Sequence, residues 1–240
     1  DDDIPGFVDS ETSDIGIVGE NGYFEYILDN PEHNLTIVAK LGFAHCRLSI
    51  AVPQEGEIKT IKDLEGKTIA TSYPASLQDF LAKHGVKAKV LIMHGSVELA
   101  PKIAIADAIC DLVSTGATLK ENKLVELEVI FDSEAVIIGN RNQSIDIQER
   151  VAELVFRLQS VIEAKDSKYI MLHIDKSQVG KLQEILPGCE SPTVLHLHDN
   201  ENKVAVHVVS KDGVFWDTIS KLKSIGASSI LVLPIEKMMS

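Results

Sequence analysis

The stretch Ala106-Asp107-Ala108-Ile109-Cys110-Asp111-Leu112-Val113-Ser114-Thr115-Gly116-Ala117-Thr118-Leu119 passes from an apolar run into a turn of small, hydroxyl-bearing residues. An apolar run that ends in such a turn is typical of a strand that opens into a helix in an α/β fold. Gly116 lets successive backbone N–H groups point into one concavity, and Ser114, Thr115 and Thr118 add side-chain donors. The pattern favours a phosphate-binding turn, although an ordinary strand-to-helix turn has the same composition.

Two carboxylates, Asp107 and Asp111, lie just upstream of this turn. From that position we expect them to accept hydrogen bonds from sugar hydroxyls beside a bound phosphate. A structural role for Asp111 is the alternative. A phosphorylated sugar would satisfy both the turn and the carboxylates.

The segment Asp14-Ile15-Gly16-Ile17-Val18-Gly19 repeats the same pattern, with an Asp five residues before a Gly at the end of an apolar run. Strand ends that open into helix-starting loops line the ligand crevice of α/β folds. The repeated pattern therefore predicts two similar lobes that face each other across a cleft.

The predicted boundaries assign residues 1–51 and 124–166 to a first lobe and residues 52–123 to a second lobe. The second lobe is predicted to contain a helix over 77–83, with Ser76 and Asp79 as its N-terminal capping pair. The predicted strands of the two lobes are 46–52, 68–71, 89–93, 127–131 and 135–138. Apolar residues at helical spacing between Val151 and Ile162 predict an amphipathic helix.

Residues 167–240 change pattern and predict a separate domain. The predicted order is strand 169–174, helix 177–186, strands 192–198 and 203–209, helix 214–225 and strand 229–234. This βαββαβ order is that of a ferredoxin-like fold. The predicted fold class is thus α/β: a two-lobed core like that of periplasmic binding proteins, followed by a ferredoxin-like (ACT-like) domain.

The composition limits the classes of function. The formal net charge of −13 argues against non-specific binding to nucleic acid, whose phosphates the protein would repel. No window approaches the run of about 20 apolar residues that a membrane span needs. Three cysteines, Cys46, Cys110 and Cys189, lack the spacing of a metal site and predict a reducing compartment, the cytoplasm.

Several further motifs accompany the opening stretch and resemble, together with it, those of the ATP phosphoribosyltransferase family. They are Asp1-Asp2-Asp3-Ile4-Pro5-Gly6, Asp14-Ile15-Gly16-Ile17-Val18-Gly19-Glu20-Asn21, Cys46-Arg47-Leu48-Ser49, Ile69-Ala70-Thr71-Ser72-Tyr73-Pro74, Gly95-Ser96-Val97-Glu98-Leu99-Ala100-Pro101 and Gly226-Ala227-Ser228-Ser229-Ile230-Leu231-Val232-Leu233-Pro234-Ile235-Glu236-Lys237-Met238. The resemblance implies the first reaction of histidine biosynthesis, in which N1 of ATP attacks the anomeric carbon of phosphoribosyl pyrophosphate and pyrophosphate leaves. It also implies the long form of the family, which histidine inhibits through its last domain.

On this resemblance, Ser114, Thr115, Gly116, Ala117 and Thr118 hold the 5′-phosphate of phosphoribosyl pyrophosphate. Asp107 and Asp111 then contact ribose hydroxyls or Mg²⁺-bound water, and Mg²⁺ arrives with the substrate. Glu98 is a third candidate catalytic residue. It either stabilises positive charge on the sugar or complements a helix dipole.

The ATP site is assigned from the resemblance to Asp14, Glu20, Cys46, Arg47 and Tyr73. Each has a structural alternative; Tyr73, for example, either stacks on adenine or caps the core. The effector site for histidine is assigned to His173, Thr193, Val206, Ala227 and Ser228. AMP is expected as a second inhibitor, and a homo-oligomer, a dimer or a hexamer, as the assembly.

Three open questions accompany this interpretation. Family members carry an opening strand and a glycine-containing loop before the motif at residues 1–6, so we expect the first lobe to be incomplete and the activity of this chain to depend on that segment. A two-lobed solute-binding protein and a catalytically silent regulatory subunit are the alternative functions. A zinc site at His196, His198 and His207 is disfavoured, because hairpin pairing is expected to place His207 opposite residue 195, on the other face of the sheet.

Overall fold

The computed structural model describes residues 3–165, 167–186, 192–198, 200–211 and 216–238. The chain divides into two compact units, Asp1–Val151 and Ala152–Ser240. The helices are α1 (Ile4–Asp9), α2 (Glu20–Asp29), α3 (Pro74–His84), α4 (Ala117–Glu121), α5 (Ile145–Lys165), α6 (Val179–Ile185) and α7 (Trp216–Ser224). The strands are β1 (Ile15–Gly19), β2 (Leu35–Lys40), β3 (Cys46–Pro53), β4 (Thr68–Thr71), β5 (Lys89–Ile92), β6 (Ala108–Val113), β7 (Leu124–Ser133), β8 (Ala135–Asn140), β9 (Ser167–Asp175), β10 (Thr193–Leu197), β11 (Asn200–Lys211) and β12 (Ser228–Pro234).

The larger sheet of the first unit has the strand order β5-β4-β6-β3-β7. Strand β4 is parallel to both β5 and β6, whereas β3 is antiparallel to β6 and β7. The carboxyl ends of β4, β5 and β6 therefore meet at one edge, where β3 begins. In open α/β sheets ligands bind outside this edge, which we call the carboxyl edge.

Side chains alternate between the two faces of β3, and each face has its own core. Leu48, Ile50 and Val52 point to one face and pack with Leu77 and Phe80 of α3. The opposite face is covered by a second cluster, which contains Ala51, Ile109, Val97, Ala100, Val113 and Leu119. Because strand neighbours alternate, Arg47, Ser49 and Asp111 belong to this second face.

The smaller sheet of the first unit has the order β1-β8-β2, with antiparallel pairing throughout. Its core combines Val18, Leu35 and Ile138 with Val8 of α1 and Tyr23 of α2. Helix α1 lies directly on β1, at a position that requires glycine: a Cβ at residue 16 would come within 2.4 Å of the Ile4 Cγ2. Close packing of α1 thus depends on a residue without a side chain.

The sheets change over at positions that differ from the predicted lobe boundaries. Strand β3 and all of β7 pair in the larger sheet, although residues 1–51 and 124–166 are predicted to form the first lobe. The chain enters the larger sheet between β2 and β3 and leaves it between β7 and β8. Apolar periodicity identifies these strands but contains no information about their hydrogen-bonding partners. The predicted lobe boundaries differ from the observed ones for this reason.

The second unit contains the sheet order β10-β11-β9-β12, with antiparallel pairs. Leu172, Ile174, Val204 and Val206 lie on one face and pack with Leu182 of α6; Leu222 of α7 and other residues complete this core. The order of elements from β9 to β12 is the predicted βαββαβ order. The predicted fold class, a two-lobed α/β core with a ferredoxin-like C-terminal domain, is confirmed.

Within the residues that the model describes, no helix is both long and apolar enough to cross a membrane.

Candidate functional site

The carboxyl edge of the larger sheet brings together three chain segments that follow β4, β5 and β6. Tyr73 and the start of α3 follow β4, and the 3-10 turn Val97–Leu99 follows β5. The turn at residues 114–118 follows β6. These segments are separated by up to about 45 positions in the sequence, and only the parallel pairing of the strands places their start points side by side.

Gly116 determines the shape of the 114–118 turn. Its φ of +78° lies in the left-handed region, which residues with a Cβ rarely adopt, and no atom lies within 4 Å of the position of a Cβ there. The hydroxyl of Thr115 accepts a hydrogen bond from the Ala117 N–H at 3.4 Å. Because Ser114, Thr115 and Thr118 are exposed, the turn has donors available to a ligand.

Arg47, at the start of β3, braces this turn. Its Nη1 donates a hydrogen bond to the Ser114 carbonyl at 3.2 Å, and its Nε donates to the Glu126 carboxylate, with distances of 2.9 and 3.1 Å to the two oxygens. The side chain of Arg47 is 31% exposed, so solvent screens this ion pair only in part. Arg47, which the resemblance assigned to the ATP site, thus lies at the 114–118 turn, next to a carboxylate.

Asp111 and Glu98 approach each other at the same edge. Burial raises the pKa of the Asp111 carboxyl, and the negative charge of Glu98 raises it further, whereas a hydrogen bond from the Leu112 N–H at 2.8 Å opposes this shift. Perturbed carboxylates of this kind cluster at functional sites. The geometry therefore unites two of the three candidate catalytic residues.

Asp107 does not belong to this group. It precedes the first residue of β6, whereas the 114–118 turn follows the last, so the whole strand of about 20 Å separates them. Its carboxylate accepts a hydrogen bond from the Thr68 N–H at 2.8 Å, at the start of β4. The predicted catalytic role of Asp107 is corrected to a structural one.

Asp14 also lies away from the other residues predicted for the ATP site, because the two Asp-to-Gly motifs occupy different places on their strands. Asp14 precedes β1 and its carbonyl accepts a hydrogen bond from Gln143, whereas Asp111 lies inside β6. Asp14 is thus at the end of β1 opposite to Glu20. The Asp is five residues before the Gly in both motifs, but the two strands begin at different points of the motif. The two Asp residues therefore occupy different positions on their strands.

Glu20, at the other end of β1, is buried and paired. Lys40 contacts it at 3.0 Å and contacts Glu134 at 3.6 Å. The hydrogen bond to Glu20 raises the pKa of the Lys40 ammonium. Neutralisation of Glu20 by Lys40 reduces the repulsion that this carboxylate would exert on a polyphosphate.

Asn21 joins the two sheets. Its Nδ2 donates to the Tyr73 hydroxyl at 3.2 Å, while its backbone N–H and its Oδ1 both contact the Ser133 hydroxyl at 3.0 Å. Cys46 is paired with Ser133 on the neighbouring strand and is partly exposed. Tyr73, Cys46 and Glu20, all predicted for the ATP site, therefore lie near one junction between the sheets.

Glu25 was not predicted from the sequence, and it occupies the N-terminus of α3. Its two carboxylate oxygens accept hydrogen bonds from the N–H groups of Ala75 at 2.7 Å and Ser76 at 2.9 Å. The predicted capping pair Ser76 and Asp79 is therefore wrong, because α3 begins at Pro74 and its first N–H groups are satisfied by α2. No local signal identifies a cap that is 50 residues distant in sequence.

In the second unit, three of the five predicted effector residues share one sheet face. Ser228 is paired with His173, and Thr193 is paired with His207, all on the face opposite to α6 and α7. Val206 lies on the helix-covered face and is fully buried, so its predicted contact with an effector is corrected to a role in the core. Ala227 lies in the connection before β12, where it packs against the same core.

The histidines of the predicted hairpin are on different faces. His207 is opposite Thr193 rather than residue 195, and His196 is opposite Val204. The predicted register and the observed register both place His196 and His207 on opposite faces of the sheet. His207 contacts Tyr169 through a hydrogen bond and an edge-on ring contact.

No group of three or more His, Cys, Asp or Glu side chains that could hold a metal ion occurs in the described part of the chain. Cys110 is buried, and burial raises the pKa of its thiol. Cys189 lies outside the described residues.

Comparisons with known proteins agree with this arrangement. The family model described as "HisG: ATP phosphoribosyltransferase" matches residues 1–160, and the model "HisG, C-terminal domain" matches residues 164–237.

Among solved structures, the ATP phosphoribosyl transferase (HisG:HisZ) complex from Thermotoga maritima is similar to this chain, with 31% identity and a TM-score of 0.59 over 68% of this chain and 76% of that chain. The protein XAC2383 from Xanthomonas citri bound to chloride ion shares the fold alone, with 11% identity and a TM-score of 0.50 over 68% of this chain and 67% of that chain. The first family model covers more than half of the sequence, and its match includes the whole carboxyl edge described above. The chain therefore belongs to the ATP phosphoribosyltransferase family.

Proposed function

We propose that this chain is an ATP phosphoribosyltransferase of the long, histidine-regulated form and catalyses the first step of histidine biosynthesis in the cytoplasm. In the reaction, N1 of the adenine ring of ATP forms a bond to the anomeric carbon of phosphoribosyl pyrophosphate. The bond from that carbon to the pyrophosphate oxygen breaks, and pyrophosphate leaves with the electron pair. The adenine group loses a proton, which gives N1-(5-phosphoribosyl)-ATP.

The observation that carries this proposal is the meeting of the Gly116 turn, Arg47, Asp111 and Glu98 at one edge of the sheet. The turn offers exposed N–H and hydroxyl donors for the 5′-phosphate. Asp111 accepts hydrogen bonds from the ribose hydroxyls. Phosphate contacts and sugar contacts are thus supplied by neighbouring segments, as a phosphorylated sugar requires.

Carboxylates at this edge also suit the transition state. Positive charge grows on the sugar ring as pyrophosphate leaves, and fixed negative groups nearby stabilise that charge. Glu98 and Asp111 supply two such groups in a partly buried position, where electrostatic interactions are stronger than in water. The nucleophile is part of the substrate, so the protein acts by positioning the reactants and by electrostatics.

Mg²⁺ is proposed to arrive with the substrate. Mg²⁺ keeps several waters and is commonly bound through phosphates together with one or two carboxylates. In a chain with a formal net charge of −13, the metal supplies the positive charge that two polyanionic substrates need. When bound, the metal would supply positive charge beside the pyrophosphate leaving group, and Asp111 would contact its bound water.

ATP is proposed to bind at the junction of the two sheets, where Tyr73, Cys46 and Glu20 lie. The Tyr73 ring offers a stacking surface for adenine, and Asn21 positions it through the hydrogen bond to its hydroxyl. The pairing of Glu20 with Lys40 leaves this region compatible with phosphate.

Histidine is proposed to inhibit the enzyme through the C-terminal domain, by way of His173, Thr193, Ser228 and Ala227, and AMP to inhibit it as a second effector. An effector that binds away from the reacting atoms acts by favouring one global state over another. We also propose a homo-oligomer, a dimer or a hexamer.

A direct assay tests the function. The purified chain is incubated with ATP, phosphoribosyl pyrophosphate and Mg²⁺, and phosphoribosyl-ATP is quantified by mass spectrometry. Formation of product that depends on both substrates and falls on addition of histidine is the expected result. A folded chain that binds neither substrate would refute the proposal.

A catalytically silent regulatory subunit is a second candidate, because the solved relative is described as a complex of HisG with HisZ. The same assay distinguishes an active enzyme from a silent regulatory subunit. A silent subunit would yield no product alone, but would increase the turnover of an added catalytic subunit.

A further inference from the structure

Ser49, on β3, has a buried hydroxyl that the function described so far does not use. The residue is 1% exposed, and its Oγ has no hydrogen-bond partner among the described residues. A buried hydroxyl without a partner costs free energy, because it has lost its bonds to water. Such a group requires an explanation, and a partner that is present only in another state of the site is one.

The strand register identifies that partner. Ser49 is directly opposite Asp111 on β6, and both side chains point to the same face of the sheet. Side chains that are directly opposite on antiparallel strands have Cβ atoms about 4.5–5.5 Å apart. A change of side-chain rotamer is enough to bring the Ser49 hydroxyl onto the Asp111 carboxylate.

The carboxylate has a free position for such a bond. Its Oδ1 accepts from the Leu112 N–H at 2.8 Å, and no bond to its Oδ2 occurs among the described residues. Glu98, in the turn after β5, is the charged group that acts on Asp111, and Arg47, two residues from Ser49 on the same face of β3, is paired with Glu126. Since Arg47 is already paired and Glu98 is repulsive, Ser49 is the donor best placed to hold Asp111.

We propose that Ser49 is a positioning residue, whose hydroxyl donates to the Asp111 carboxylate and orients it towards a sugar hydroxyl when the phosphorylated sugar binds. Ser49 is not expected to touch the sugar, because its oxygen is buried on the strand next to Asp111. It acts by reducing the number of orientations that the carboxylate adopts. This inference rests on the proposed function, since it assumes that Asp111 binds the sugar.

The test measures selectivity for sugar hydroxyls with three probes: ribose 5-phosphate, 2-deoxyribose 5-phosphate and 3-deoxyribose 5-phosphate. Affinities are determined by isothermal titration calorimetry for the native chain and for Asp111→Asn, which identifies the hydroxyl that Asp111 contacts. Ser49→Ala removes the proposed donor, and Ser49→Thr retains it. Ser76→Ala is the matched control, because Ser76 also has a buried hydroxyl without a hydrogen-bond partner among the described residues but belongs to α3, on the other face of the sheet.

Ser49→Ala is expected to lose about tenfold in selectivity for the hydroxyl that Asp111 contacts, the scale of a hydrogen bond to a charged group. Ser49→Thr and Ser76→Ala should retain the native selectivity. Equal loss of affinity for all three probes would indicate a packing role and overturn the inference, as would native selectivity in Ser49→Ala. If the native chain binds neither ribose 5-phosphate nor phosphoribosyl pyrophosphate, the proposed function fails first, and this inference with it. Thermal midpoints of all variants verify that each is folded.

Discussion

The Arg47 guanidinium lies between the Glu126 carboxylate, 2.9 Å away, and the carbonyl of Ser114, 3.2 Å away. One side chain thus links β7 to the first residue of the 114–118 turn. The pairing with Glu126 holds the guanidinium in place, and the bond to Ser114 fixes the backbone from which the turn begins. Arg47 also supplies a positive charge at the edge where a phosphate is proposed to bind.

Replacement of Arg47 by Ala should therefore weaken binding of ribose 5-phosphate about tenfold or more, because both the brace and the cation are lost. The affinity is measured by calorimetry at low and at physiological ionic strength, and the loss should be larger at low salt. Arg150→Ala is the control, since Arg150 forms an exposed pair with Asp146 on α5. An equal effect of the two substitutions would contradict the role given to Arg47.

The double substitution Thr115→Val with Gly116→Ala should abolish binding of phosphoribosyl pyrophosphate and leave binding of histidine intact. Valine removes a hydroxyl donor, and alanine disfavours the left-handed φ of +78° at residue 116. Binding of both ligands is measured by calorimetry.

Gly85→Ala provides the matched control for backbone strain, because Gly85 has a φ of +65° at the end of α3 and open space around it. It should destabilise the protein by about 1 kcal/mol and leave affinity for the substrate unchanged. Retained affinity for phosphoribosyl pyrophosphate in the double variant would refute the assignment of the turn.

Asp111→Asn should increase stability at neutral pH while it weakens binding of the sugar. Burial and the charge of Glu98 raise the pKa of Asp111 in the folded state above its value in the unfolded chain. Between these two pKa values the unfolded state binds fewer protons than the folded state. The contribution of Asp111 to stability therefore falls as the pH rises from the lower value to the higher one.

The gain in the thermal midpoint of Asp111→Asn should therefore be largest near pH 7 and should vanish below the ordinary carboxyl pKa of about 3.9. Thermal unfolding of the native chain and of Asp111→Asn between these pH values measures whether the substitution raises or lowers the midpoint. A variant that is less stable than the native chain at pH 7 would show that Asp111 contributes to stability in its charged form.

Asp107→Ala should destabilise the protein without a change in affinity for phosphosugars. The substitution leaves the Thr68 N–H without its acceptor at the start of β4, and a loss of about 1 kcal/mol is expected. Urea unfolding measures the stability, and calorimetry with ribose 5-phosphate measures the affinity. A loss of affinity at unchanged stability would restore Asp107 to the binding site.

Residue spacing identified the C-terminal domain well. Alternating apolar residues predicted the strands at 169–174 and 203–209, and the observed strands β9 and β11 include them. The pairing of His207 was wrong by two residues, because β11 begins earlier than the hairpin pattern suggested. A shift of the strand register by two residues leaves every side chain on the same face of the sheet. The prediction that His207 and His196 lie on opposite faces was therefore still correct.

The candidate site was predicted in part. Gly116 and Asp111 could be found because a glycine turn after an apolar strand has a local signature. Asp107 and Asp14 were misplaced, because the spacing of an acid from a glycine does not define where the strand begins. Glu126, Asn21 and Glu25 could not be found, since each acts on a segment that is distant in sequence.

The sequence by itself determined the order of strands and helices in the C-terminal domain and the glycine turn after the apolar run 108–113, because these depend on side-chain periodicity and on the conformational freedom of one glycine. Tertiary structure alone decided which strands pair and, with that, which side chains share a site. Parallel pairing of β4 with β5 and β6 placed the ends of three distant segments at one edge, and antiparallel pairing of β3 placed Arg47 and Ser49 beside them. Hydrogen bonds between strands are formed by the backbone, which is the same at every residue. The amino-acid sequence therefore specifies the pairing of the strands only through the packing of the whole core.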